Sequence, residues 1–209
     1  IACNPAHPAS SALRASSRSS AQACALEAAR TQGFSQENEK MDSRVFYTTL
    51  DSPVGALILT SDGEAITELF MEKHKGGPKP IGDWRRDDGL FREAANQLRA
   101  YFAGELTEFD LPLATGGAPF QQRVWAELQK IHYGSTISYG ELARRIGAPK
   151  ASRAVGAANG SNPISIIIPC HRVIGSNGKL TGYGGGIERK KFLLEFEAEI
   201  LSMLRATPK

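Results

Sequence analysis

Pro169-Cys170-His171-Arg172 concentrates more reactive chemistry than any other stretch of this 209-residue chain. A thiol beside an imidazole and a guanidinium is favoured as thiolate, its nucleophilic form. The apolar run Ile164-Ser165-Ile166-Ile167-Ile168 before it reads as a strand. Pro169 has no N–H to donate and ends the ladder, so the thiol is expected at a strand end. The competing reading is a small buried hydrophobe, the commonest role of a free cysteine. Adjacent residues of an extended chain point to opposite faces, so the tripeptide alone leaves both readings open.

The other cysteines, Cys3 and Cys24, are far apart and form no C-x-x-C pair, which argues against a disulfide framework or a zinc cluster. No apolar run approaches the ~18 residues of a membrane helix, so no membrane partner is expected. Charge is uneven along the chain. Residues 1–117 carry 12 Lys/Arg against 16 Asp/Glu, whereas residues 118–209 carry 13 against 6. A basic half around the candidate nucleophile suggests a polyanionic partner, nucleic acid first; the plainer alternative is that these cations solvate helix faces.

The elements that position Cys170 can be read in order. Residues 1–42, Ser- and Arg-rich and poor in acids, read as a disordered leader, with a targeting segment as the alternative and Met41 as a natural start for the compact part. Val45–Tyr47, Ala56–Leu59 and Ala65–Phe70 alternate as short strands, with turns at Ser52-Pro53-Val54-Gly55 and Ser61-Asp62-Gly63-Glu64. After a Gly-, Pro- and Lys-rich loop at 73–80, a helix follows, capped by Asp87 or Asp88 and ended by Gly104; its apolar face includes Leu90, Phe91, Leu98, Tyr101 and Phe102. No chemistry is apparent in this half.

A linker at 111–117 leads to a helix opened by Pro119, with Val124, Trp125 and Leu128 on one side. Ser138 and Glu141 have capping-box spacing ahead of a short helix that Gly147 closes. Pro149 opens a second, running to Asn159-Gly160, which completes a helix-turn-helix pattern. That second helix is nearly all Ala, Gly and Ser, with Arg153 its one long cation. It lacks the side chains that read base edges, and suits a narrow groove into which one arginine is pushed. The alternative is a small-residue helix packed in a core. A glycine-dense loop from Gly175 to Gly186 and a final helix from Ile187 to about Leu204 close the chain, with Phe192, Leu193, Phe196 and Ile200 facing inward.

Helix-turn-helix, slim helix bearing Arg153, Asn162-Pro163, apolar run, Pro-Cys-His-Arg-Val and Glu197 follow one another in an order that resembles the bacterial-type O6-alkylguanine-DNA alkyltransferases. The likeness is close over residues 118 to about 202 and looser back to about Arg44. It implies an α/β chain of the α+β kind: a small N-terminal sheet-and-helix domain at 43–113, a mostly helical C-terminal domain at 118–202 with a helix-turn-helix and a short strand pair, and a tail at 203–209. It implies that Cys170 accepts the alkyl group, that His171 takes the thiol proton through a water, and that Glu197 orients the imidazole. Asn162 would hold the turn that carries the active-site loop.

On the substrate side the resemblance implies Arg153 filling the stack behind a flipped base, with Tyr139 pushing the phosphate. The backbone of Cys170 and Val173 would accept from the guanine amino group, and Tyr183 and the Gly184 amide would lie near O6. Ser165 stands where some relatives have a proline, which would leave room for larger alkyl groups. The partner would be double-stranded DNA carrying O6-alkylguanine, with O4-alkylthymine a further candidate, bound through the minor groove with little sequence preference by a monomer. No cofactor is implied, and no zinc, because the N-terminal domain has no cysteine. The thioether product has no good leaving group, so each molecule would act once. The setting would be the cytoplasm and nucleoid in a bacterium, the nucleus in a eukaryote. The other readings are a non-catalytic lesion-binding module, which the presence of Cys170 opposes, a helix-turn-helix regulator, which the bare Ala-rich helix opposes, and a cysteine hydrolase.

Overall fold

Strands β1 (Phe46–Leu50), β2 (Leu57–Ser61) and β3 (Ile66–Met71) form where the alternating stretches predict them and pair antiparallel. The computed structural model describes residues 45–72 and 83–206. The leader expected at 1–42, Cys3, Cys24, the loop at 73–80 and the end of the tail at 207–209 lie outside the described residues. In the β2–β3 turn the Asp62 carboxylate accepts from the Glu64 and Ala65 N–H groups at 3.0 and 2.9 Å, and Gly63 takes φ +107°, which suits glycine. Strand β4 (Arg85–Arg86) adds parallel to β1, giving the order β3-β2-β1-β4. Its two exposed arginines carry no strand pattern; β4 is held through the backbone, Arg85 N–H donating to Val45 at 2.9 Å.

Helix α1 (Arg92–Phe102) buries Ala94, Leu98 and Tyr101. Neither expected aspartate caps it. Asp87 accepts from Gly89 and Leu90 N–H and so closes the turn ahead of the helix, while Asp88 bonds Thr48 at 2.6 Å and Arg86 at 3.0 Å. Gly104 does end the helix, at φ +77°, with Gly104 N–H donating to Tyr101 and Glu105 N–H to Ala100. A Cβ at Gly104 would meet Ile200 Cδ1 at 2.6 Å. Gly104→Ala is therefore expected to cost about 1–2 kcal/mol from backbone conformation and more from this contact, read as a lower thermal midpoint.

Helix α2 (Pro119–Leu128) packs on the slim helix, its Trp125 Nε1 donating to the Ala158 carbonyl at 2.8 Å. Strand β5 (Ile137–Ser138) leads into helix α3 (Tyr139–Arg145), and Ser138 Oγ accepts from Glu141 N–H at 3.1 Å as the capping pattern predicts. The reciprocal half of the box is missing, because Arg144 and Arg145 take the Glu141 carboxylate at 2.6 and 2.9 Å. Helix α4 (Ser152–Gly160) begins three residues after Pro149, which sits in the turn instead. Val155, Ala158 and Asn159 face the core, whereas Arg153, Ala154, Ala157 and Gly160 are exposed, so only one side of this helix fits the core reading.

Strand β6 (Val173–Ile174) pairs parallel with β5, and the long helix α5 (Ile187–Ala206) closes the described chain, running through part of the expected tail. Phe192 is 38% exposed rather than inward. The fully sequestered face of α5 carries Lys190, Leu193 and Glu197, two of them charged. One continuous core extends from Leu59 and Leu69 in the sheet through Tyr101 and Leu128 to Ile164, Ile168 and Leu193.

The largest departure from expectation lies before Cys170. Ile164–Ile168 is not a strand: after one bridge between Leu69 and Ile164 it coils into a buried turn, Ile168 N–H donating to Ile164 at 3.0 Å. All five residues are buried, so the run has no exposed face whose alternation would tell turn from strand.

Candidate active site

Asn162 braces that turn from inside. Its Oδ1 accepts from Ile164 N–H at 3.1 Å, and its Nδ2 donates to the Ile168 carbonyl at 2.8 Å. Within the turn Ile166 is held at φ +72°, a left-handed conformation that strains a β-branched residue. The chain so folded delivers Cys170 to the head of a 3-10 turn, Cys170–Arg172, rather than to a strand end.

Cys170 is 3% exposed. Burial pushes its thiol above the ordinary range, only partly opposed by the Asn162 amide and the Lys190 ammonium. The expectation of a resting thiolate is thereby corrected: the group rests as a thiol and needs a base. Arg172 does not serve it either. The guanidinium turns to Glu197, Nε to Oε2 at 2.9 Å and Nη2 to Oε1 at 2.8 Å, and its Nη1 donates to the Ile131 carbonyl at 2.6 Å.

Glu197, on α5, is fully buried and gathers donors from four residues in three parts of the chain. Besides the two Arg172 nitrogens it accepts from His171 Nε2 at 2.9 Å, Tyr101 Oη at 2.8 Å and Gly134 N–H at 3.1 Å. Burial alone would push its carboxyl up. The His171 and Arg172 donors outweigh burial and hold it well below the usual carboxylate range. An ionised Glu197 fixes the imidazole tautomer: the proton sits on Nε2, and Nδ1 keeps its lone pair. Burial pushes His171 below its ordinary value, against the pull of Glu197, so the ring rests neutral.

Four buried polar side-chain atoms around Cys170 lack a well-formed hydrogen bond among the described residues: His171 Nδ1, Asn159 Oδ1, Ser165 Oγ and Tyr183 Oη, the last two near enough to interact with each other. Orphaned groups so clustered point to a site that completes its bonding with a ligand or solvent. Among the described residues no group of three or more His, Cys, Asp or Glu is placed to hold a metal ion.

Two family models match the chain. The 6-O-methylguanine DNA methyltransferase ribonuclease-like domain matches residues 45–115, and the DNA-binding domain of the same name matches residues 119–199. A methylated-DNA–protein-cysteine methyltransferase of Mycobacterium bovis is 58% identical over 153 residues, 73% of this chain and 92% of the relative. The chain belongs to the methylated-DNA–protein-cysteine methyltransferase family. Such proteins repair DNA by direct, stoichiometric transfer of an alkyl group from O6-alkylguanine to a cysteine of their own, and this one is such a transferase. The Methanosarcina acetivorans relative is 51% identical over 73% of this chain and 98% of its own length. The crystal structure of Mycobacterium tuberculosis OGT in complex with DNA matches with a TM-score of 0.71 at 57% identity, over 74% of this chain and 94% of that one.

The remaining residues of this methyltransferase singled out from sequence divide between two places. Tyr139, Arg153, Tyr183 and Gly184 line a cleft of about 640 Å³ with Ser152, Gly156, Gly160, Thr181 and Gly182. Ser165 is buried beneath, 1% exposed. The Val173 carbonyl, expected to be open to a base, already accepts from Lys190 Nζ at 2.6 Å, and the Cys170 carbonyl from Asn159 Nδ2 at 3.3 Å. Each keeps a second lone pair.

Lys190 escaped the sequence reading. It is fully buried, donates also to the Thr181 carbonyl at 3.0 Å, and lies over the Tyr139 ring at 5.8 Å. Burial lowers its pKa to about 8, partly countered by the neighbouring Cys170 side chain. The one available signal was its place on the apolar stripe of α5, four residues from neither Phe192 nor Phe196 but three from Leu193 and seven from Glu197.

Proposed function

We propose that Cys170 is the alkyl acceptor and that His171 and Glu197 carry its proton away. The observation that carries this reading is the orientation of His171, tied through Nε2 to Glu197 and left with an open Nδ1 in the next residue to the thiol. The thiol proton passes through a bridging water to Nδ1, and Glu197, already ionised, stabilises the imidazolium. The thiolate attacks the O6-alkyl carbon in line. An S–C bond forms as the C–O6 bond breaks, and the electron pair passes to O6 and N1 of the guanine. One proton leaves the thiol and one arrives at the guanine, so none is gained or lost overall. The Lys190 ammonium and the Tyr183 hydroxyl stabilise the charge that develops on sulfur and on the departing base. The thioether cannot be displaced in turn, which accounts for the stoichiometric reaction.

O6 lies inside the duplex stack, so the nucleotide must be flipped out. Arg153 projects from the exposed face of α4, whose other exposed residues are Ala154, Ala157 and Gly160. A face so slim can enter a minor groove while the arginine fills the vacated stack, and it offers little to read sequence with. Tyr139 and the Gly184 amide flank the flipped base in the adjoining cleft, and Ser165 leaves room for larger alkyl groups. The protein acts as a monomer, in two domains at 43–113 and 118–202. Its bacterial relatives imply the cytoplasm and nucleoid as its setting.

The test is mass spectrometry after one exposure to a duplex containing O6-methylguanine. The peptide bearing Cys170 is expected to gain one CH2, and a Cys170→Ser protein to gain none while still binding the duplex. A methyl group found elsewhere, or alcohol released over many turnovers, would sink the assignment.

A further inference from the structure

The sheet-and-helix half reaches the reaction centre through a side chain. Tyr101, in the last turn of α1, donates its hydroxyl to Glu197 Oε1 at 2.8 Å across 96 residues of chain. The same oxygen accepts from His171 Nε2 at 2.9 Å and Arg172 Nη2 at 2.8 Å. The Tyr101 ring is fully buried and is wedged among Phe102, Phe109, Tyr133 and Phe196, with centroids 5.1 to 5.9 Å away. Its hydroxyl is thus aimed by packing. Burial and the charge of Glu197 hold the phenol well above its ordinary pKa, so it remains a donor at every working pH.

We infer that Tyr101 is a positioning residue for alkyl transfer, whose hydroxyl fixes the Glu197 carboxylate and sets the proton affinity of His171. An acceptor oxygen that shares its lone pairs with a phenol stabilises a neighbouring imidazolium less strongly than one that does not. The sheet-and-helix half therefore tunes the base. The other charged or titratable groups facing the pair are Arg172 from the 3-10 turn, Lys190 from α5, Tyr133 ahead of β5, Tyr183 from the glycine-rich loop and Cys170 itself. None of these comes from residues 45–115.

The inference rests on His171 and Glu197 as the proton path, and the experiment separates the two. Single-turnover alkyl-transfer rates would be measured against pH at saturating protein, with DNA affinity and thermal midpoint measured in parallel. In Tyr101→Phe the rising limb is expected to move to higher pH, and the rate below its midpoint to fall about tenfold, the size of one pKa unit. DNA affinity should not change. Placing 3-fluorotyrosine at 101, a more acidic and stronger donor of the same shape, should move the limb to lower pH; that variant alone decides the matter if the Phe protein does not fold. In a Glu197→Gln background neither change should move the midpoint. A Glu197→Gln protein reacting at the wild-type rate overturns the proton path and this inference with it. An intact path with an unmoved midpoint overturns this inference alone.

Discussion

An Arg172→Met protein is expected to lose about 3–5 kcal/mol of folding stability, because the change leaves the buried Glu197 carboxylate without its main counter-charge. The guanidinium is 7% exposed in its side chain, makes two short contacts to Glu197, donates to the Ile131 carbonyl and stacks 5.5 Å from the Tyr133 ring. Typical domains have only about 5–15 kcal/mol in hand, so the midpoint of urea unfolding should fall steeply. Adding Glu197→Gln should restore much of the loss, since a neutral amide needs no counter-ion. A single variant within about 1 kcal/mol of wild type would show that the pair does not hold this region together.

The pH dependence has a definite sign. The Glu197 carboxyl is held below its unfolded value, so its contribution is complete above the ordinary carboxylate range and is lost as pH falls through and below it. Arg172→Met relieves that depression. Wild type and variant should accordingly differ most at neutral pH and approach each other in acid.

The second large effect concerns the rate. Single-turnover alkyl transfer is expected to trace a bell against pH. It rises as His171 loses its proton, below the usual histidine range because burial depresses that group. It falls again near pH 8, where Lys190 loses the charge proposed to support the developing thiolate and guanine anion. Lys190→Met should remove the alkaline limb and slow transfer by about 100-fold. Rapid-quench measurements from pH 5 to 10 would check both, and an alkaline limb that survives in the Met protein would assign it to another group. Lys190 also ties the Val173 and Thr181 carbonyls together, so some loss of DNA affinity would accompany the change. The shape of the profile distinguishes the two contributions.

Several of these groups could be seen in the sequence and several could not. The hairpins were legible because their alternation and Asp-Gly turn are local. Arg85–Arg86 was not, since that strand is held by backbone bonds to β1 and its side chains carry no pattern. Ile164–Ile168 had the composition of a strand, but a fully buried run looks the same whether extended or coiled around an asparagine. Cys170 and His171 are adjacent and announce themselves. Glu197 stood out on the last helix as a carboxylate that could be drawn toward the site, and its role came only through resemblance to a family. Lys190, Arg172 and Tyr101 illustrate the limit more sharply. A lysine on a helix reads as a surface cation, an arginine after Cys-His reads as the thiol's partner, and a tyrosine on an apolar face reads as core. Each takes its role from a partner 17 to 96 residues away, a relation that no local pattern encodes.

The carboxylate that collects these donors sits on α5, behind every other described element in the order of the chain. Helix α1, the loop before β5 and the 3-10 turn all converge on it. A nascent chain lacking α5 would hold Cys170 without the proposed proton path, and Arg172 would lack the Glu197 carboxylate. The reagent is consumed by a single reaction, so a thiol armed early could be wasted on the first electrophile it met. On the proposed proton path, the molecule becomes reactive only after α5 has been made and has packed against the elements before it.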